Sequence, residues 1–408
     1  MRSARSGAES FGPKQDSAPQ QTRQYTFILI LVTVTLLSRL ALLSSPYFAD
    51  GPAHVENLDR GVLFIQPPGY FLFMWSIHWL MGIGLASAAA VSWLNVTLSL
   101  CGVAVFAKIS ETLFSPRMGR ALSICYAFMN VVWFSSLIHS TYAPMTFFAP
   151  ALFYCLLQRG QWWYFLGCAM WALGAGFRPS DGVFLLPMLI LGSRSHSWRE
   201  RIVGLVIGVT LSLTWWLPTA DHFGGFFGPV RASLEQASGA SEHVSILRVG
   251  ITPRSLANAL RFVAAVATSL NVLLPLAILQ MVRGYRDERT LLAMAWIVPG
   301  SLFLFLTYMS DAAYIAFMAG GLLILAGMFC ERLSWAQVNA WVVVYLVVSL
   351  TQMLVLRPVA PSTFPRRVAD AFWLEYTAWG VRHHYHKNLS DLERNAGDAR
   401  SEKGLATQ

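Results

Sequence analysis

The sequence contains few charged residues. Only 12% of its 408 residues are Asp, Glu, Lys or Arg, whereas a soluble domain typically has roughly 25%. Hydrophobic residues make up 55% of the chain and form continuous apolar runs between residues 26 and 356. These runs are long enough to cross a bilayer and do not alternate as lipid-facing β-strands do. The pattern excludes a soluble globular protein and predicts an all-α, polytopic transmembrane helix bundle.

Several chemical motifs are absent as well. The sequence has no Walker loop and no dinucleotide-binding fingerprint, so it gives no support for a nucleotide-driven pump. It also has no clear internal repeat, which a transporter would be expected to show. Its five cysteines form no C-x-x-C pair. A net charge of +9 could suggest nucleic acid, but the basic residues form short clusters between apolar runs. Such clusters are typical of membrane topology signals, and no nucleic-acid partner is expected.

Metal binding has equally little support in the sequence. His383, His384 and His386 lie close together, but no second group of ligands accompanies them. A divalent metal ion therefore stays an open alternative without a predicted site, and no cofactor is predicted.

The apolar runs predict about eleven membrane spans within a bundle that covers residues 26–356. The approximate ranges are 26–43, 87–107, 121–138, 143–157, 162–177, 182–192, 202–217, 262–282, 291–307, 313–329 and 338–356. One further apolar segment, 70–83, is only about fourteen residues long. A span there would also reverse the distribution of basic loops. We predict that this segment forms a re-entrant or interfacial helix.

Basic residues between the runs predict the orientation of the bundle. With the amino terminus inside, the inner loops and the first 25 residues hold fifteen Lys and Arg residues, and the outer loops hold far fewer. The long outer loops, 44–69 and 218–261, then face the same compartment. Residues 1–25 are predicted to be a disordered basic cytoplasmic arm, and 357–408 an amphipathic and disordered tail. The eight basic residues of this tail fit an outer location poorly, so its side stays open.

The first outer loop carries the best candidate for a catalytic group. Asp50 follows the first predicted span by a few residues, where a lowered dielectric can raise the basicity of a carboxylate. A short helix is predicted from Pro52 onward, because proline is favoured in the first helical turn. Asp50 could equally cap this helix. On these residues alone, a catalytic and a purely structural Asp50 are both open.

This loop and two later segments together resemble the GT-C superfamily of membrane glycosyltransferases. The likeness begins with a carboxylate after the first span, a short interfacial helix and Pro67-Pro68-Gly69-Tyr70. It continues with Ile138-His139-Ser140-Thr141-Tyr142-Ala143-Pro144 and Gly174-Ala175-Gly176-Phe177-Arg178-Pro179-Ser180. It covers roughly residues 26–330. The branch related to protein O-mannosyltransferases and lipid-A sugar transferases is the most similar.

The resemblance implies an inverting glycosyltransferase that moves a sugar from a polyprenyl-phosphate carrier to an extracytoplasmic glycan, lipid or protein acceptor. It matches Asp50 to the catalytic base, and Arg178 is suited to hold the phosphate that leaves. Further substrate-binding candidates are His54, Glu56, His139, Tyr142, Asp221 and His222. The resemblance also implies a multi-pass protein of the bacterial inner (plasma) membrane, surrounded by membrane lipids, with its active site facing outside.

The sequence departs from the family pattern at two places. Gln66 stands where many relatives carry His or another polar group, and the pair of adjacent acids common in the first loop is reduced to Asp50. Near Tyr142, the nearest ionisable residue is His139 rather than an acid. Each polar candidate can also be a solvated or membrane-edge residue without a role in chemistry. Two other functions therefore stay open: a membrane transporter or lipid flippase, and a catalytically silent scaffold with the same fold.

Overall fold

The chain is helical through nearly all of the residues described. The computed structural model describes residues 18–40, 51–64, 66–309 and 312–356, and these ranges contain helices and turns but no β-strand. The helices are α1 (Ala18–Leu40), α2 (Gly51–Asp59), α3 (Phe71–Gly82), α4 (Ser87–Leu113), α5 (Pro116–Ala127), α6 (Asn130–Ser135), α7 (Met145–Leu157), α8 (Gln161–Phe177), α9 (Pro179–Gly192), α10 (Trp198–His222), α11 (Gly228–Ser241), α12 (Ile246–Val249), α13 (Pro253–Leu270), α14 (Leu274–Arg283), α15 (Glu288–Leu306), α16 (Ala319–Cys330) and α17 (Trp335–Leu356). Short 3-10 helices lie at Ser193–Ser195, Asn271–Leu273 and Ala312–Met318.

Six helical stretches in the described residues are long and apolar enough to cross a bilayer. They are Thr22–Leu40, Ser87–Leu113, Trp198–His222, Pro253–Arg283, Glu288–Leu306 and Ala313–Cys330. The predicted all-α membrane bundle is therefore confirmed. The count of eleven spans stays a prediction, because helices such as α8 and α9 have only 17 and 14 residues.

Helix α1 begins earlier than the sequence analysis predicted. It starts at Ala18, within the segment expected to be a disordered arm. The side-chain amide of Gln24 donates to the Glu111 carboxylate of α4, and the Lys108 ammonium lies 4.5 Å from the centre of the Tyr25 ring. These contacts extend the first span with a further helical segment that packs on α4.

Two predicted spans are interrupted. The range 121–138 contains α5 and α6 instead of one helix, because the backbone of Met129 between them is extended (φ −69°, ψ 128°). The span predicted at 262–282 begins at Pro253 and is broken at Asn271, which has a left-handed backbone (φ +38°). The Asn271 amide donates to the Ser349 hydroxyl of α17, so the break is held by a polar contact between helices.

Helix α3 forms most of the short apolar segment 70–83, which follows the first predicted outer loop. Its 12 residues extend roughly 18 Å, which is less than the roughly 30 Å hydrocarbon core of a bilayer. Phe73, Met74 and Ile77 are buried, and the helix packs against α4, α8 and α10. The segment is thus a short helix on the side of the bundle, and whether it enters the membrane stays a prediction.

Helix α16 lies at the centre of the bundle. All twelve of its residues are apolar or small, and all are buried, as expected of a helix that is apolar on every side. It packs against α5, α7, α14 and α15. A Cβ on Gly327 would lie 2.4 Å from the Leu122 side chain of α5, so this glycine permits the close approach of the two helices.

The two regions predicted to form outer loops meet where α10 ends and α3 begins. The ring of Phe64 stacks on His222, with the ring centres 4.2 Å apart. Gly69 has a positive φ of +107°, and a Cβ there would lie 3.0 Å from Thr219 of α10. Residues of the 44–69 and 218–261 regions therefore share one end of the bundle.

The length of α10 makes the predicted orientation testable. Its 25 residues cover roughly 37 Å, so the segment before it and the segment after it are expected on opposite sides of a bilayer. Single cysteines at Ser195 and Ser238 should react with an impermeant maleimide from opposite sides, with 195 on the cytoplasmic side. Ser195 is preferable to Ser197, because Ser197 caps α10 together with Glu200. Labelling of both positions from the same side would contradict the arrangement.

Candidate functional site

Arg178 is a single extended residue between two helices. Helix α8 ends at Phe177 and α9 begins at Pro179, and Arg178 between them has φ −149° and ψ 90°. Pro179 suits the first turn of α9 because its missing N–H needs no partner there. Arg178 is only 3% exposed. An arginine that merely anchors a helix end keeps its head in water, so this buried guanidinium is not an ordinary interfacial one.

The Arg178 guanidinium is held by one carboxylate, one hydroxyl and three aromatic rings. Its Nε donates to Asp181 Oδ1 at 3.1 Å, and its Nη1 donates to Thr141 Oγ1 at 2.6 Å. The guanidinium carbon lies 4.1, 5.2 and 5.7 Å from the ring centres of three tyrosines, which are Tyr142, Tyr314 and Tyr70 in that order. These five residues and Arg178 are called the arginine cluster below.

The arginine cluster keeps its cation charged. Burial alone lowers the pKa of Arg178, but Asp181 and the tyrosines outweigh burial and hold the pKa above the usual arginine value. Asp181 itself is buried at the start of α9. A buried carboxylate and a buried guanidinium that face each other need additional hydrogen bonds to offset their desolvation. The hydroxyls of Thr141 and Ser180 supply two of them.

The segment 136–142, between α6 and α7, brings two predicted site residues into this region. Asn95 of α4 donates from its Nδ2 to the carbonyls of Ile138 (2.8 Å) and Ser140 (3.0 Å). The segment therefore has a fixed shape without being helical. Thr141 and Tyr142 at its end contact Arg178, so the predicted pair Tyr142 and Arg178 is in direct contact.

His139 and His54, two further candidates, join the same segment to α2. His54 Nδ1 lies 2.9 Å from the carbonyl oxygen of His139, and both residues are buried. His139 Nε2 lies 3.0 Å from Ser92 Oγ and 3.1 Å from the carbonyl of Ala88. Burial lowers the pKa of His139 to about 4, so its ring is neutral at pH 7. Both histidines hold the segment in place through hydrogen bonds.

The remaining predicted residues lie apart from the arginine cluster. Glu56 is exposed and pairs with Arg60 one turn later in α2. Asp221 and His222 end α10, where Asp221 is exposed and His222 stacks on Phe64. Neither acid makes a hydrogen bond or ion pair with the cluster among the described residues. Asp50, the predicted base, lies outside the described residues.

Several cluster residues were not predicted from the sequence. Asp181 stands three residues after Arg178, and this spacing at the start of a helix could have indicated an ion pair. Tyr70 and Thr141 lay within the quoted motifs but carried no assigned role. Tyr314 is distant in the sequence from the other members, and its 3-10 helix gives no local signal of the contact.

A second buried guanidinium, Arg39, was also missed. It lies in the last turn of α1 with no exposed surface. It donates to Ser136 Oγ at 2.7 Å, Ser99 Oγ at 3.1 Å and the Thr35 carbonyl at 3.3 Å, and it forms no ion pair with any described residue. Basic side chains near a helix C-terminus complement its dipole. Through Ser136, this cation also fixes the start of the 136–142 segment.

Replacement of Arg39 tests that link. Arg39→Met keeps most of the volume but removes the donors to Ser99 and Ser136, so the amides of 136–142 are expected to exchange with deuterium several-fold faster. Hydrogen-exchange mass spectrometry on the full-length protein measures this, and peptides covering 193–201 serve as the internal reference. Unchanged protection of 136–142 would show that Asn95 and His54 hold the segment without Arg39.

The overall architecture is similar to that of solved membrane proteins. ArnT from Cupriavidus metallidurans bound to undecaprenyl phosphate superposes with a TM-score of 0.59 and 15% sequence identity, covering 90% of this chain and 70% of that one. Its apo state gives a TM-score of 0.58 and 15% identity, covering 88% and 69%. No family model matches the sequence, and comparison with curated proteins finds no match. The GT-C-like fold expected from the resemblance is confirmed.

Proposed function

We propose that this protein is an inverting glycosyltransferase that moves a sugar from a polyprenyl-phosphate carrier to an extracytoplasmic acceptor. The observation that best supports this proposal is the buried arginine cluster, set in a fold similar to that of a protein solved with undecaprenyl phosphate. A cation held in a low-dielectric site suits the stabilisation of a departing phosphate, where electrostatic contacts are stronger than in water.

Arg178 retains donor capacity for such a phosphate. Its Nε and Nη1 bind Asp181 and Thr141, while Nη2 makes no hydrogen bond to any described residue. The planar fork of an arginine can therefore offer further N–H groups to phosphate oxygens while Asp181 keeps its orientation. The tyrosine rings cover the guanidinium and exclude water from it.

The proposed reaction needs one base and one cationic site. The acceptor hydroxyl attacks the anomeric carbon of the sugar as the bond from that carbon to the phosphate oxygen breaks. The polyprenyl phosphate leaves with the bonding electron pair, and the acceptor's proton passes to Asp50. Attack on the face opposite the leaving phosphate inverts the configuration. Arg178 stabilises the charge that develops on the phosphate.

Two measurements test the proposal directly. In cells lacking the protein, mass analysis of lipid-linked sugars should reveal accumulation of one polyprenyl-phosphate species, which identifies the donor. The purified full-length protein in nanodiscs should then release free polyprenyl phosphate from that donor only in the presence of an acceptor. Movement of the intact lipid-linked sugar across vesicles without its consumption would instead identify a flippase. If the protein neither transferred the sugar nor moved the lipid-linked sugar, the catalytically silent scaffold would be the remaining function.

A further inference from the structure

Helix α11 carries an apolar stripe that the bundle does not cover. Phe227, Val230 and Leu234 are separated by three and four positions, so they lie on one side of the helix. Phe227 is 66% exposed and Leu234 is 64% exposed. Large apolar side chains exposed together in water are unfavourable, so a contiguous stripe of them marks an interaction surface.

The other sides of α11 have different surroundings. Pro229 is buried, and Ala232 and Ser233 are half-buried, so this side of the helix faces the protein. Glu235 and Gln236 are exposed and polar. Gln236 follows Leu234 by two positions and therefore lies on the opposite side of the helix from the stripe. An apolar side opposed by buried positions and by an exposed polar position is typical of a helix that lies along a bilayer surface next to its own protein.

The apolar stripe continues a surface that already faces lipid. The membrane span α10 exposes Val206, Val209, Leu213 and Leu217, which repeat at helical spacing. Beyond the end of α10, Phe226 packs edge-on against Trp216 with the ring centres 6.0 Å apart, and Phe227 packs on Phe226 at 5.3 Å. Of these three rings, the Trp216 indole is of a type that is enriched at membrane–water boundaries.

Basic residues lie beside the stripe. Arg231 is exposed between Val230 and Leu234 and forms no ion pair with a described residue. Arg248 of α12 is exposed and donates from Nη1 to the Ser238 carbonyl of α11 at 2.6 Å. Arginines whose stems lie along apolar surface and whose heads reach the headgroups are favoured at the interface. Phospholipid phosphates are therefore the partners that complement this edge of the helix.

We propose that α11 is an interfacial helix that rests on the phospholipid bilayer. Phe227, Val230 and Leu234 lie among the upper acyl chains, and Arg231 binds headgroup phosphates. This contact fixes the loop after α10 at the depth of the membrane surface. The proposal concerns a surface outside the arginine cluster and does not depend on transferase activity.

Spin-label accessibility in nanodiscs tests this placement. Of the free cysteines, Cys101 is exposed and the other four are buried, so Cys101→Ala gives a background for labelling. Leu234→Cys places a nitroxide on the stripe, and Gln236→Cys places the matched control at an exposed position on the opposite side of the helix. At a depth of about 5–10 Å, the ratio of oxygen to nickel-chelate collisions should be roughly five-fold higher at 234 than at 236. Val230→Cys repeats the test if Leu234→Cys reduces folding.

Each outcome bears on the proposal. Equal ratios at 234 and 236 would place α11 in water and overturn it. A label at 234 that is immobilised and inaccessible to both reagents would indicate a protein partner or a second copy, which also overturns it. If the ratio of oxygen to nickel-chelate collisions shows that position 234 faces lipid, Arg231→Glu should lower that ratio by about two-fold, because a carboxylate repels headgroup phosphates. An unchanged collision ratio at 234 would show that Arg231 does not take part in the contact with the bilayer.

Discussion

Asp50→Asn is expected to reduce sugar transfer by roughly two to four orders of magnitude, because general-base catalysis contributes about that much. The asparagine keeps the size of the side chain and can still cap a helix, but it has no basic carboxylate to take the acceptor's proton. Thermal stability should therefore change by less than about 1 kcal/mol. Initial rates of transfer with the purified protein, measured beside its unfolding temperature, give both quantities.

Asp59→Asn is the matched control for that experiment. Asp59 is an exposed acid at the end of α2, close to Asp50 in the sequence, and the same chemical change there should leave the rate within about two-fold. An Asp50→Asn protein that transfers sugar at nearly the normal rate would remove Asp50 from the mechanism. Glu56 or Asp221 would then be tested in its place.

Arg178→Ala is expected to lower kcat/KM for the lipid-linked donor by roughly 10- to 150-fold, since hydrogen bonds to a charged group contribute about 1.5–3 kcal/mol. Arg178→Lys should recover only part of this loss, because a point charge cannot reproduce the planar fork that binds Asp181, Thr141 and phosphate together. Donor titrations with each variant in nanodiscs measure kcat and KM separately.

The ion pair with Asp181 complicates the alanine variant. Removal of Arg178 leaves a buried carboxylate uncompensated, which can destabilise a protein by about 3–5 kcal/mol. The double variant Arg178→Gln with Asp181→Asn removes both charges and restores a neutral hydrogen-bonding pair. It should fold better than Arg178→Ala yet remain poor in donor use. If the double variant used the donor normally, Arg178 would have a structural role alone.

The sequence predicted the helical membrane bundle well, because the signal is local. Long apolar runs correspond directly to spans such as α4 and α10, and a run of about fourteen residues correctly predicted a short helix at α3. The breaks were harder to predict. Met129 interrupts its apolar run without a proline or glycine beside it. Pro275 follows Asn271 by four positions and was a signal for the second break, which a contact with α17, distant in the sequence, also holds.

The candidate site was predicted only where its members lie in short motifs. Arg178 and Tyr142 belong to two such motifs, and the structure brings them into contact. Tyr314 and Ser136 gave no sequence signal, because their contacts with Arg178 and Arg39 depend on the packing of helices far apart in the chain. A single sequence records which polar residues are present, but not which of them meet across a bundle.

The dependence of the arginine cluster on Tyr314 has a consequence for biogenesis. A membrane protein is inserted from its amino terminus while it is synthesised, and Arg178 enters the bundle long before Tyr314 emerges from the ribosome. Until then the Arg178 guanidinium lacks one of the three tyrosine rings that contact it. The cluster is therefore completed only at a late step of insertion. A chain truncated before residue 312 would retain Asp181 and Thr141 as partners of Arg178 but would lack the Tyr314 ring.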